Sequence, residues 1–272
     1  MTIAQALDIA ETHLQESCPK PRFEAELLLA HHLGKERLYL HIHEDETVGD
    51  IDGYHTLIRR REAHEPYEYI VGAASFYDIE LAVEKGVLIP RPETELLIDR
   101  VVQVIESEGM THIVEIGVGS GAISIVLARK FPQLQITATD ISEDALRIAG
   151  QNIDHFGLTD QITLIQSNLI DEVKTKPQLV VSNPPYIASH FKLEQNISEY
   201  EPHTALFGGE YGDELLHRII CDVHARSIPW LACEMGYDQR NSMQSHFDEI
   251  GVKISEFYQD LAEFDRGFLV RF

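Results

Sequence analysis

Two hydrophobic periods divide the chain. From residue 3 to about residue 71, apolar side chains recur every three or four positions: Ile3, Leu7, Ile9, Ala10 and Leu14, then Phe23, Leu27, Leu28, Ala30 and Leu33, then Tyr54, Leu57 and Ile58. That spacing lines one face of a helix. Pro19 and Pro21 separate the first two segments, and Gly34 closes the second, as helix breakers do. Helices this short hold only when packed on one another, so residues 1–71 are expected to form a small helical domain. No chemical constellation lies within it, which leaves substrate or partner recognition as its expected role. The period then changes to alternation through Phe76, Ile79, Leu81 and Val83, with Val87 and Ile89 beyond Lys85-Gly86. This predicts a hairpin linker over 72–93. Pro90-Arg91-Pro92-Glu93-Thr94-Glu95 is a stiff lead into a helix from Thr94 to about Glu106, with Glu93 or Thr94 placed to satisfy free amides of its first turn.

After Gly109, short apolar runs alternate with helical segments. Strands are expected at His112–Ile116, Gln135–Asp140, Ile162–Ser167, Leu179–Ser182 and Trp230–Glu234, with Lys253–Tyr258 and Gly267–Phe272 closing the sheet. Helices are expected at Gly121–Lys130, Glu143–Phe156, Asp213–Ser227 and Gln239–Ile250. Strands that are apolar throughout and are each followed by a helix imply a doubly wound α/β sheet covered on both faces. Ligands of such sheets bind at the carboxyl ends of the strands, where the strand order reverses.

Composition removes several classes of function. The chain of 272 residues has 22 Lys and Arg against 45 Asp and Glu, a formal charge of −23. Nothing in that balance attracts a phosphate backbone, so a nucleic-acid substrate is not expected. Residues 1–80 already carry seven basic and sixteen acidic groups, and the triplet Arg59-Arg60-Arg61 reads as a solvated helix face. No run of eighteen apolar residues and no basic-then-apolar leader occurs, so neither a membrane span nor a secretory signal is expected. Cys18, Cys221 and Cys233 are widely spaced and odd in number. They read as reduced thiols of a cytoplasmic protein. The histidine clusters His31-His32 and His41-Ile42-His43 lack metal-ligand spacing, and no metal is expected.

Candidate chemistry sits at two strand ends. Glu115-Ile116-Gly117-Val118-Gly119-Ser120-Gly121-Ala122 occupies the first strand-to-helix junction, where glycines allow a tight turn and close approach of a ligand to the backbone. Asp140 ends the next strand, 23 residues beyond Gly117, and a carboxylate there can accept from two ribose hydroxyls. Gly117, Gly119 and Ala122 also fit the dinucleotide fingerprint, so a nicotinamide enzyme and an S-adenosylmethionine enzyme would both place a nucleoside here. The fourth strand separates them. It ends in Asn183-Pro184-Pro185-Tyr186, 66 residues after Gly117. An amide side chain, carbonyls without competing donors and an aromatic ring suit a conjugated –NH2 group held by its two protons beside a methyl sulfonium.

In order along the chain, Leu88–Glu95, Glu115–Gly121, Asn183–Ile187, Glu201-Pro202 with Ala205-Leu206 and Gly208-Gly209, and Asp260-Leu261-Ala262 with Arg266 resemble the HemK/PrmC family of protein-(glutamine-N5) methyltransferases. The likeness runs from about residue 21 to the C-terminus. It implies a seven-stranded Rossmann-like class I methyltransferase sheet over 94–272. It also implies S-adenosyl-L-methionine as cofactor, and as substrate the glutamine of the Gly-Gly-Gln motif in class-1 peptide-chain release factors. By the same resemblance Gly117, Val118, Gly119, Ser120 and Gly121 wrap the methionine part, Asp140 holds the ribose and Asn168 sits near the adenine. Asn183, Pro184, Pro185 and Tyr186 then hold the substrate amide, with Asn183, Pro184 and Tyr186 as the catalytic set. Arg91 and Thr94 border the entrance as support. Three positions depart from the family pattern: Asn168 follows Ser167 where the family has Asp, Glu115 replaces an Asp, and Glu263 stands where a Gly is expected. A ribosomal-protein glutamine, an adenine N6 on nucleic acid and an inactive cofactor-binding module are the competing readings.

Overall fold

A computed structural model describes all of residues 1–272, which divide into two compact units. The first comprises Met1–Ala73 together with Leu193–Tyr200. Its helices are α1 (Ile3–Leu14), α2 (Pro21–Leu33), α3 (Arg37–Ile42), α4 (Ile51–Glu62) and α5 (Tyr67–Val71). α1 starts at a reciprocal cap, in which Thr2 Oγ1 accepts from the Gln5 amide at 3.3 Å and Gln5 returns an acceptor to Thr2 N at 3.1 Å. α2 stops at Gly34, whose φ of 60° only glycine adopts freely. The core of this unit gathers Ile3, Leu7, Leu14, Leu28, Leu29, Leu40, Tyr54 and Ile58. Tyr54 is fully buried and satisfies its phenol by donating to the Ala25 carbonyl at 3.0 Å.

The second unit comprises Ala74–Lys192 and Glu201–Phe272. β1 (Ala73–Phe76), whose first residue closes the first unit, and β2 (Ile79–Ala82) form a two-stranded sheet whose turn is Tyr77-Asp78. The hairpin expected to turn at Lys85-Gly86 therefore turns earlier, and residues 84–92 run without a strand. The alternation of Val83, Val87 and Ile89 reflects burial in a loop rather than pairing in a ladder. There follow α6 (Thr94–Glu108), β3 (His112–Ile116), α7 (Ala122–Lys130), β4 (Gln135–Asp140), α8 (Glu143–His155), β5 (Ile162–Gln166), β6 (Leu179–Ser182) and the short β7 (Ile187–Ala188). Beyond the one-turn α9 (Gln195–Ser198), which belongs to the first unit, come β8 (Phe207–Gly209), α10 (Glu214–Ala225), β9 (Trp230–Glu234), α11 (Arg240–Ile250), β10 (Ile254–Gln259) and β11 (Asp265–Arg271). No helix is long and apolar enough to cross a membrane.

Seven strands form one sheet in the order β10-β11-β9-β6-β3-β4-β5. β9, β6, β3, β4 and β5 run parallel, and β11 joins β9 and β10 antiparallel. Successive residues of the central strands feed opposite cores. Ile113, Leu179, Val181, Ala232 and Leu269 pack with α6, α7 and α8 on one face, and Val114, Val180, Leu231, Cys233 and Phe268 pack with α10 and α11 on the other. Covering both faces explains why these strands read as unbroken apolar runs.

Two local features stand out from the apolar packing. Buried Asn152 on α8 donates to the Ser120 carbonyl at 2.8 Å and exchanges two bonds with the Ala82 backbone at 2.8 and 3.0 Å. One side chain thereby fastens β2 and the loop after β3 to the same helix. Glu263 adopts a φ of 65°, which accounts for the glycine expected there, since a side chain in the left-handed region is disfavoured.

Asn152→Ala strips three backbone groups of their partner and is expected to lower unfolding free energy by roughly 1–3 kcal/mol. A urea titration measures this, and an unchanged midpoint would show that water replaces the anchor.

Candidate active site

Register brings the site together. Parallel pairing sets Thr139, Ile116, Ser182 and Cys233 in one row across β4, β3, β6 and β9. The next residues along, Asp140, Gly117, Asn183 and Glu234, therefore leave the sheet side by side at its carboxyl edge. This is where the order turns from β3 outward in both directions, the switch point of the doubly wound arrangement. Ser182 Oγ donates to the Ile116 carbonyl at 2.8 Å, and the Thr139 carbonyl accepts from the amides of Gly117 and Val118 at 2.8 and 2.9 Å. The row is pinned by hydrogen bonds as well as by apolar packing.

A cavity of about 510 Å³ opens along this edge. Among its lining are Gly117, Val118, Gly119, Ser120, Asp140, Asn168, Asn183, Pro184 and Pro185, so most of the sequence-predicted residues share one space. Arg91, Thr94, Pro202, Gly208 and Gly209 join them. Val87 and Leu88, which the sequence placed in a linking hairpin, supply apolar wall.

The Asp140 carboxylate accepts from the Gly119 amide at 3.0 Å and from the Ser142 amide at 2.9 Å. These bonds fix its plane, while burial raises its carboxyl above the ordinary range. Glu115 accepts from the Ser124 amide at 3.0 Å and from the Ser124 hydroxyl. Its longer side chain thus reaches back to the first turn of α7. Complete burial pushes this carboxyl up to about 8, against those two donors.

Two expected site residues stand outside the cavity wall. Gly121 is absent from the lining and instead caps α7 with a φ of 88°. A Cβ there would meet Ile125 Cδ1 at 3.1 Å and Ala149 at 3.7 Å, so this glycine serves the turn and the approach of α8. Tyr186 also stands behind the loop. Its hydroxyl donates to Glu234 Oε1 at 3.0 Å, and its ring packs on the α10–α11 core. These contacts fix the ring at the end of the Asn183–Tyr186 loop. Burial and that carboxylate push the phenol far above its ordinary value.

Thr94 likewise departs from expectation. Neither it nor Glu93 caps α6 with a side-chain hydrogen bond. Thr94 Oγ1 instead donates to Glu234 Oε2 at 2.8 Å and accepts from Asn183 Nδ2 at 2.9 Å. Glu234, at the end of β9, is 1% exposed and escaped the sequence reading. Its place in the strand is evident in the sequence, but its partners lie 48 and 140 residues away. Arg91 pairs with Glu201, whose other oxygen accepts from the Ile89 amide at 3.3 Å. The Asn183–Tyr186 loop is held once more by Gln239 Nε2, which donates to the Tyr186 carbonyl at 2.9 Å.

A seven-stranded sheet of this order, with a glycine loop after β3 and Asn-Pro-Pro-Tyr after β6, defines a class I methyltransferase. A sequence profile described as the PrmC N-terminal domain matches residues 5–72, and one described as the methyltransferase small domain matches residues 93–200. A release factor glutamine methyltransferase of Koribacter versatilis is 38% identical over 246 residues, covering 87% of each chain. One of Chlorobaculum tepidum is 34% identical, covering 93% of this chain and 91% of the other. The chain belongs to the release factor glutamine methyltransferase family and is an enzyme of that kind. Among solved structures, the N-terminal domain of human METTL16 in complex with SAH shares the fold, with a TM-score of 0.54 and 19% identity over 70% of this chain and 75% of that one.

Glu115 supplies a test of the buried end of β3 beneath the glycine loop. Its folded value of about 8 lies above the ordinary 4.5, so its contribution to stability is complete below pH 4.5 and is lost as pH rises through 8. Glu115→Gln is therefore expected to gain thermal stability relative to the parent as pH is raised from 5 to 9. Parallel melting curves at each pH would reveal a constant difference if the side chain did not titrate in this way.

Proposed function

We propose that the enzyme transfers a methyl group from S-adenosyl-L-methionine to the side-chain N5 of the glutamine in the Gly-Gly-Gln motif of peptide-chain release factors. One observation carries the reading most directly. The Asn183 amide, beside the glycine loop, has its nitrogen engaged by Thr94 while no protein donor reaches its oxygen. The names of the relatives support the substrate, and the SAH held by the structural neighbour supports the donor.

The cavity suits such a cofactor. Its volume of about 510 Å³ is ample for a nucleoside joined to an amino acid, and Asp140 is oriented by backbone donors for two ribose hydroxyls. Gly117–Ser120 present backbone to the methionine part, and Asn168 lies on an exposed edge of the lining for the adenine. When bound, S-adenosylmethionine supplies an electrophilic methyl group on a sulfonium.

The remaining chemistry belongs to this chain. A glutamine amide nitrogen is a weak nucleophile because its lone pair is delocalised into the carbonyl. Asn183 Oδ1 accepts one N–H and the Pro184 carbonyl accepts the other, which aims the nitrogen and stabilises the positive charge that grows on it. A bound S-adenosylmethionine would supply the methyl for the new C–N bond and depart as the neutral thioether. The alkylated amide is then strongly acidic and yields one proton to water, so no dedicated base is required. Pro184 and Pro185 lack N–H groups and place no competing donor beside the substrate.

The direct test is incubation with labelled S-adenosylmethionine and a release factor, the same factor with its motif glutamine replaced, or adenine-containing DNA. Label is expected in the first alone. Label in DNA would favour adenine methylation, and label in the glutamine-replaced factor would place the target elsewhere.

Asn183→Ala is expected to lose at least about 100-fold in turnover, the scale of removing one oriented acceptor. Cofactor affinity, followed by calorimetry, should stay close to that of the parent. Normal turnover of this variant would exclude the acceptor role.

A further inference from the structure

Asn183 can serve as an acceptor only if its oxygen, not its nitrogen, faces the substrate. The two ends of an amide are nearly isosteric, so the choice is made by hydrogen-bond partners. Within this site the choice traces to one buried carboxylate. Glu234 receives the Thr94 hydroxyl on Oε2 at 2.8 Å and the Tyr186 hydroxyl on Oε1 at 3.0 Å. With its only proton committed to Glu234, Thr94 can offer Asn183 nothing but a lone pair. The amide nitrogen must turn toward it, and does so at 2.9 Å.

We propose that Glu234 is a positioning residue for methyl transfer, fixing through Thr94 which atom of the Asn183 amide meets the substrate. The inference rests on the methyl-transfer reading of the site and adds to it the origin of the amide's orientation. Three further features agree. Thr94 is a buried residue at the start of α6 whose hydroxyl caps nothing, so its side chain is given over to this chain of bonds. Glu234 neighbours Asn183 by strand register, since Ser182 pairs with Cys233. The same carboxylate takes Tyr186, so it holds both ends of the Asn183–Tyr186 loop.

The orientation depends on the charge of Glu234. As an anion it accepts both hydroxyls. With a proton on Oε2 it donates to Thr94, whose own proton then turns to Asn183 and favours the amide oxygen there. Burial pushes this carboxyl up to about 7. That value already includes the donors Thr94 and Tyr186 and the charge of Arg266 on β11, which lower it, and Glu93 at the start of α6, which raises it. Tyr258 on β10, neutral and fully buried, faces it as well. Arg266 is itself held by Asp260 at 2.7 Å and lies 4.0 Å from Glu93.

Glu234→Gln keeps the shape and removes the anion. Its kcat for the glutamine substrate is expected to fall by up to about 100-fold, as misplacement of a reacting group does, with cofactor affinity within about twofold of the parent. Parent turnover should rise as pH passes through 7, and that limb should vanish in Glu234→Gln. Thr94→Val should lose as much as Glu234→Gln, the double variant little more, and Thr94→Ser should recover most of the rate. Independently of turnover, the side-chain NH2 resonances of Asn183, assigned by their loss in Asn183→Ala, should titrate near pH 7 in the parent and not in Glu234→Gln. Resonances that titrate alike in both proteins would overturn the relay. So would parent-like kcat and pH profile in an active Glu234→Gln. A parent protein that shows the titration but transfers no methyl to the glutamine would instead overturn the function and leave the relay standing.

Discussion

Everything at the site depends on the register of four parallel strands. The ladder through Thr139, Ile116, Ser182 and Cys233 decides that a glycine, two carboxylates and an amide leave the sheet in one line. A slip of one residue in β6 would turn Val181 and Ser182 to opposite faces and carry Asn183 away from both Gly117 and Glu234. Burial on both faces forbids that slip. Val180 belongs to one core and Leu179 and Val181 to the other, and a slip would carry the buried Ser182 hydroxyl among apolar side chains without the Ile116 carbonyl it now donates to. Hydrophobic packing far from any ligand thus sets the positions of the polar groups to within a hydrogen bond.

The second theme is the placement of carboxyls under the sheet's edge. Glu115 and Glu234 are each almost wholly removed from solvent, and each keeps two donors. Desolvation favours their neutral forms and the donors favour their charged ones. The outcome is a pair of acids whose ionisation falls near neutrality instead of near pH 4. Their local roles differ. Glu115 ties the glycine loop to α7, whereas Glu234 ties the Asn183–Tyr186 loop to α6.

How much of this was legible in the sequence follows from how local each signal is. The glycine loop, Asp140 and Asn183-Pro184-Pro185-Tyr186 are each written in a few consecutive residues next to an apolar run, and their strands appear where the pattern places them. The turn at Tyr77-Asp78 was missed because Tyr77 takes its positive φ of 56° without a glycine to advertise it. Thr94 looked like a helix cap, the commonest use of a threonine at that position, until a glutamate 140 residues on claimed its hydroxyl. Glu234 carried no local signal beyond ending a strand, and the Asn-Pro-Pro-Tyr motif does not show that the Tyr186 hydroxyl reaches it. In each case the missing information was a partner distant in sequence. The resemblance to one enzyme family, from about residue 21 onward, marked the segments around Thr94 and Tyr186 without explaining what they hold.

The pair formed by Arg91 and Glu201 also bears on how the cavity can move. The two residues are 110 positions apart, and the Glu201 side chain is 2% exposed, so salt in solution hardly weakens their attraction. Glu201 also grips the backbone at Ile89. The segment leading into α6 and the segment that follows Glu201 are therefore clasped into a single hoop, with Arg91 and Pro202 both facing the cavity. A hoop cannot open at one side. Any widening of this mouth has to shift both segments as one piece, so motions of the rim should appear as a single correlated displacement and not as the flapping of separate loops.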